Sequence, residues 1–226
     1  MDIFGKHDAI RNRMLSDGTH RMKNMLGGIG GFAALLRKDI PDDDPRSDLV
    51  DRIRESVIRL DEFLVDFMTL LRKQHPETEE VDLPTAFREA CNQHFESDEE
   101  TLAESPIAAE FHSKRIRIAA DPILLRRCFY HAVRFLALVS TEYGLVRTEE
   151  NETDIHIRFP FKSREKLQFL TEDPLARIET LESIDARISL LICMKMCRIH
   201  HGRAWLERPS GNSWILHLRL RKDCKT

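Results

Sequence analysis

The chain has 226 residues, and its 35 Lys and Arg against 38 Asp and Glu leave a formal net charge of −3. Hydrophobic residues make up 42% and charged ones 32%. This places it among folded globular chains, and the lack of a basic excess argues against nucleic acid as a partner. The longest apolar stretches, 135–139 and 188–194, are too short to cross a bilayer, and the opening MDIFGKHDAIRNR lacks a signal-peptide core, so no membrane is expected.

From Met22 the apolar residues fall at Met22, Met25, Leu26, Ile29, Phe32, Ala33 and Leu36, the steps of one helical face. The segment IPDDDPRS, with Pro41 and Pro45, breaks that helix. A second helix then shows Leu49, Ile53, Val57, Leu60, Leu64, Phe67 and Leu71, alternating steps of three and four like the seam of a bundle. Two such helices make a hairpin whose stripe needs a cover, and a second copy completing a four-helix bundle is the economical one, so a homodimer is expected. His75, Pro76 and the acidic PETEEVD then read as a boundary. Beyond it, helices are expected over Leu83–Phe95, Ile123–Val139 (after an Asp121-Pro122 start signal) and Ile184–His201, the last ended by Gly202. Strands are expected at Arg115–Ala119, around Ile155, Ile157 and Phe159, and as a terminal hairpin over Arg203–Arg221 turning at PSGN.

The strongest signal is THRMKNMLGGIGGFAALL. At about 100° per residue the apolar stripe lies roughly opposite His20, while Asn24, Gly27 and Gly31 share the histidine's side. Glycine costs a helix interior about 1 kcal/mol against alanine, so the cluster wants a reason: close approach of a partner surface, or a kink. Gly28, Gly30 and Ala33 fit a G-x-G-x-x-A dinucleotide pattern, but no buried strand precedes them, and that reading is discarded.

His20-Arg21-Met22-Lys23-Asn24 resembles the H-box of bacterial histidine kinases in the H-R-x-K-N form of the HWE and related groups. The resemblance implies that His20 is the phospho-acceptor, with Arg21, Lys23 and Asn24 in support and Gly27 and Gly31 facing a partner. It also extends over the rest of the chain: RIRIAADPILLRRCFYHAVRFLALVS resembles the strand and helix that carry the kinase N-box, and ISLLICMKMCRIHHGRAWLERPSGNSWILHLRL the closing helix and hairpin. The implied architecture is α plus α/β: a dimerisation and phosphotransfer hairpin over 1–75, then a degenerate ATPase-like α/β sandwich over 80–222.

The departures are as informative as the match. Where the N-box would place asparagine to hold Mg²⁺, the aligned positions are His131 and Phe135, and phenylalanine offers no oxygen to a hard cation. After IHIRFPF a kinase carries D-x-G-x-G, but KSREKLQFLTEDPLARIETLES has no glycine, and before the last helix stands SIDARISLL in place of a glycine-rich turn. The resemblance thus implies a histidine phosphotransferase that moves phosphoryl groups between receiver-domain aspartates through His20 without ATP. No cofactor of its own is expected, since the receiver brings Mg²⁺ and a lysine. The alternative is a non-catalytic relative that binds and regulates a kinase or response regulator. Only 19 residues precede His20, from which a cytoplasmic intermediate without an input domain is expected.

Three weaker signals remain. The five cysteines, Cys91, Cys128, Cys193, Cys197 and Cys224, form no disulfide framework, and reduced thiols are expected. Cys193, Cys197, His200 and His201 share one side of the last helix at zinc-compatible spacing, but the apolar residues among them make core packing the better expectation, and no metal is expected. Trp205 and Trp214 are expected in the core, and the acidic runs 42–44, 77–80 and 149–152 in solvated loops.

Overall fold

The computed structural model describes residues 3–95, 107–113, 115–163, 167, 178 and 181–222, with side chains from Asp17 onward. The chain divides into two compact units, Met1–Lys73 and Gln74–Thr226.

The first unit is a helical hairpin. Helix α1 spans Ile3–Asp39 and α2 Arg46–Leu71. α1 therefore begins well before Met22, and it runs through the glycines without a break. At the connection Arg37 fastens the turn: its guanidinium donates to Asp51 Oδ2 at 3.1 Å, to Asp42 Oδ1 at 2.6 Å and to the Ile40 carbonyl at 3.3 Å. Arg46 holds the Asp44 carboxyl down to about 2 through side-chain and backbone hydrogen bonds. The buried seam is narrow, with Leu26 and Ala33 from α1 and Val50, Leu64 and Met68 from α2. Apart from half-buried Val57, the rest of the expected stripe is uncovered in the single chain, including Met25 at 69% exposure and Phe32 at 70%.

The second unit is an α/β sandwich. Strand β1 (Glu79–Asp82) pairs antiparallel with β3 (Arg117–Ala120), flanking helix α3 (Leu83–Phe95) and the short strand β2 (Ala109–Glu110). Helix α4 (Pro122–Val139) follows, then β4 (Ser140–Tyr143), β5 (Val146–Glu150) and β6 (Asp154–Ser163). Helix α5 (Ile184–Ile199) and the hairpin β7 (Arg203–Ser210) and β8 (Ser213–Arg221) complete it. The main sheet runs β2-β5-β6-β8-β7, with β4 also on β6; β2 and β5 are parallel and the other pairs antiparallel. Alternation puts Ile155, Ile157, Phe159 and Phe161 of β6 on the same buried face as Trp214, Leu216, Leu218 and Leu220 of β8. Helix α4 packs between α3 and α5, and Phe87 of α3 meets Phe129 at 5.6 Å and Phe159 at 5.9 Å between ring centres. At the helix exit Gly202 is obligatory: a Cβ there would stand 2.0 Å from the Arg219 carbonyl.

Several local expectations need correcting. Glu79 and Glu80 lie on β1 and Glu149 and Glu150 on β5, not in loops, and Glu80 pairs with Arg117, Glu149 with Arg158. Trp214 is buried, but Trp205 points from the opposite face of the sheet. There its ring stacks on His217 at 4.7 Å, and His156 Nε2 lies 2.9 Å from His217 Nδ1.

Asp121 starts α4 as its sequence signal implies. Oδ1 accepts from the amides of Ile123 at 3.0 Å and Leu124 at 2.9 Å, while Oδ2 accepts from Glu77 N at 2.9 Å. Asp121→Ala removes the cap and strands the Glu77 amide, and should lower the stability of this unit by about 2 kcal/mol in urea titration.

The imidazoles on the open sheet face carry a pH dependence. Burial, aided by Arg219 at His156 and by the neighbouring His156 at His217, holds both below the ordinary value of 6.5, against the raising influence of Glu207. The unfolded chain therefore takes up protons first as pH falls. This contribution to stability should be complete above pH 6.5 and decline below it. Urea midpoints measured from pH 8 to pH 5 should fall accordingly, and less steeply in His156→Gln.

Candidate functional site

The candidate residues gather on one side of α1. His20, Arg21, Asn24, Gly27 and Gly31 are all exposed. Lys23 turns toward α2, where its Nζ lies 3.2 Å from Asp61 Oδ1, so it is shared with a carboxylate. The pair is well exposed on both sides, and such ion pairs contribute less than about 1 kcal/mol.

The glycines divide by role. Gly30 faces the hairpin partner, where a Cβ would lie 3.4 Å from Val57 Cγ1. Gly27 and Gly31 face open space, with nothing within 4 Å of a Cβ at either position. Packing within the hairpin does not require them. What they create is a flat strip of backbone about two and three turns beyond His20, on the histidine's side, which another surface can approach closely.

In the second unit, the positions aligned with the N-box are core. His131 is 1% exposed and Phe135 0%, the latter edge-on to Phe161 at 6.2 Å. The segment KSREKLQFLTEDPLARIETLES, where the D-x-G-x-G motif is missing from the sequence, lies mostly outside the described residues. The start of α5 is described: Ser183 Oγ accepts from Ala186 N at 3.2 Å, and Asp185 adds an acidic group to the first turn. A cap plus a carboxylate disfavours an anion at that helix end.

The cysteine and histidine signals on α5 separate. His201 is exposed with φ 54 at the helix exit. His200 is buried and held at both nitrogens, Nδ1 donating to the Met196 carbonyl at 2.8 Å and Nε2 accepting from Asp121 N at 3.2 Å. Cys193 and Cys197 are buried and meet Cys128 from α4, a partner that sequence spacing does not reveal.

Residues 10–76 match the His Kinase A (phospho-acceptor) domain family. The match falls on the helical hairpin of the first unit. Among solved structures, full-length ShkA in complex with AMPPNP is similar at a TM-score of 0.72 and 17% identity, over 95% of this chain and 47% of that one. The histidine kinase ThkA, in complex with the response regulator protein TrrA, is similar at 0.61 and 17%, over 96% and 65%. Acinetobacter baumannii histidine kinase AdeS is similar at 0.57 and 11%, over 88% and 96%. This chain thus spans about half the length of ShkA and under two thirds of that ThkA chain. At these identities the likeness establishes the fold: a helical hairpin followed by the α/β sandwich of histidine kinase catalytic domains. No curated protein matches the chain in sequence.

The open space beside Gly27 and Gly31 makes their substitution informative. Gly27→Ala and Gly31→Ala should each stabilise the hairpin by about 0.5–1 kcal/mol in thermal or urea unfolding. A loss of stability in either would show that the backbone there is constrained after all.

Proposed function

We propose that this chain is a histidine phosphotransferase, in which His20 carries a phosphoryl group between receiver-domain aspartates without using ATP. The observation that carries the reading is a contrast. The histidine of a phospho-acceptor domain stands exposed, while the positions aligned with the Mg²⁺-binding asparagine hold the buried side chains of His131 and Phe135. The capped, acidic start of α5 and the absence of glycine from 162–183 support the same conclusion.

The chemistry needs little more than presentation. Aspartyl phosphate is an activated acyl phosphate. An imidazole nitrogen of His20 forms the N–P bond as the P–O bond to the aspartyl carboxyl breaks, and the carboxylate leaves with that electron pair. Transfer to a second aspartate reverses these steps. The receiver supplies Mg²⁺ and a lysine, and this chain supplies a nucleophile at the right distance and angle. Arg21 and Lys23 sit near enough along α1 to balance phosphoryl charge, and Gly27 and Gly31 let the receiver approach. The ThkA complex with a response regulator is a precedent for docking of this kind.

Pairing of two hairpins completes the site. Met22, Met25, Ile29, Phe32 and Leu36 of α1 line up with Leu49, Ile53, Leu60, Phe67 and Leu71 of α2 as a long exposed apolar face. A second copy would bury it in a four-helix bundle and leave His20 on the outer surface.

Incubation with a panel of phosphorylated receiver domains should label the wild-type chain from at least one of them, and His20→Gln should remain unlabelled. Labelling of the variant would remove His20 from the mechanism. With labelled Mg-ATP alone, no phosphate should be incorporated, and incorporation at His20 would overturn the ATP-free reading.

A further inference from the structure

The seam between α4 and α5 gathers three thiols. Cys128 Sγ lies 3.5 Å from Cys197 Sγ and 3.9 Å from Cys193 Sγ, and the three sulfurs all fall within 4.8 Å of one another. All three residues are wholly buried, and none is in a disulfide. The arrangement follows from helix geometry: Cys193 and Cys197 stand one turn apart on the same side of α5, and Cys128 closes the triangle from the facing helix.

The dimensions match a metal. Zinc–sulfur bonds of about 2.3 Å in a tetrahedron hold their sulfurs about 3.8 Å apart. The separations of 3.5 and 3.9 Å differ from that by only tenths of an ångström. Three thiols favour a soft or borderline ion over magnesium or calcium, which take oxygen donors. An imidazole is buried nearby on the same helix: His131 stands three residues after Cys128 on α4.

We propose that Cys128, Cys193 and Cys197 form a structural site for one zinc ion, which ties α4 to α5. On binding, each thiol gives its proton to solvent, and the three thiolates with the dication leave a net charge of −1 on the cluster. The crossing of α4 and α5 over the sheet would then be fixed by coordination as well as by packing. The proposal concerns the second unit alone and stands or falls independently of phosphotransfer through His20.

The full chain, purified reduced and stripped with a chelator, is titrated with Co(II) and then Zn(II). One Co(II) per chain should bind with sulfur-to-metal charge-transfer absorption, and Zn(II) should displace it and raise the melting temperature. Cys128→Ser and Cys197→Ser should lose the absorption, and Cys91→Ser should keep it. Because serine in this core can unfold the unit, zinc-edge X-ray absorption on the loaded wild type gives a second readout, with sulfur neighbours expected at about 2.3 Å. The proposal is overturned by the absence of a saturable band, by a band that survives Cys197→Ser, or by a zinc shell of nitrogen and oxygen only. It is equally overturned if the unreduced, denatured chain shows fewer than its five thiols because Cys128 and Cys197 have joined as a disulfide.

Discussion

Two helices lying side by side can bury only the strip along which they touch. Among the described residues of the hairpin that strip includes Leu26 and Ala33 of α1 and Val50, Leu64 and Met68 of α2. The larger apolar face stays exposed on the hairpin. That shortfall organises the whole first unit: it makes a second copy the natural cover, and it assigns the opposite side of α1, with His20 and the two open glycines, to the outside. An apolar stripe narrow enough to be satisfied within one hairpin would leave the histidine's orientation undetermined. The Arg37 clamp at the turn serves the same end, since it holds the ends of α1 and α2 together where few apolar contacts do so.

The second unit meets its burial requirement internally. Aromatic rings from α3, α4 and β6 interlock, and helices α4 and α5 pack directly on each other above the sheet. The two positions aligned in sequence with the N-box belong to this core. His131 is wholly enclosed, and Phe135 packs against Phe161.

How much of this was legible in the sequence depended on the kind of signal. Long-period patterns read well: the helical stripes, the Asp121-Pro122 start of α4 and the alternation of β6 all follow from local spacing. Strands β1 and β5 did not, because EEVD and VRTEE carry glutamates whose partners, Arg117 and Arg158, stand on other strands. Trp205 was misplaced because Ala204, Trp205 and Leu206 are consecutively apolar, so parity on that strand could not be told from the residues alone. The link between Cys128 and the α5 cysteines spans 65 residues of sequence and is visible only once α4 and α5 are packed. For His20 the sequence carried the motif, while the division of the glycines into one that faces Val57 and two that face nothing depends on how α1 and α2 pack.

The order of the main sheet sets a sequence of events for the ribosome. Strand β8, the last of this unit in the chain, lies between β6 and β7, with Asp154 opposite Arg221 and Lys162 opposite Ser213. Until 213–221 has emerged, β6 has no partner along that edge, and its inward residues lack the row of leucines that covers them. The hairpin, whose two helices are neighbours in sequence, can assemble while that strand is still being made. Nascent chains can therefore carry a formed helical hairpin ahead of an unfinished sandwich, with β6 as the exposed edge that most needs shielding from wrong pairing.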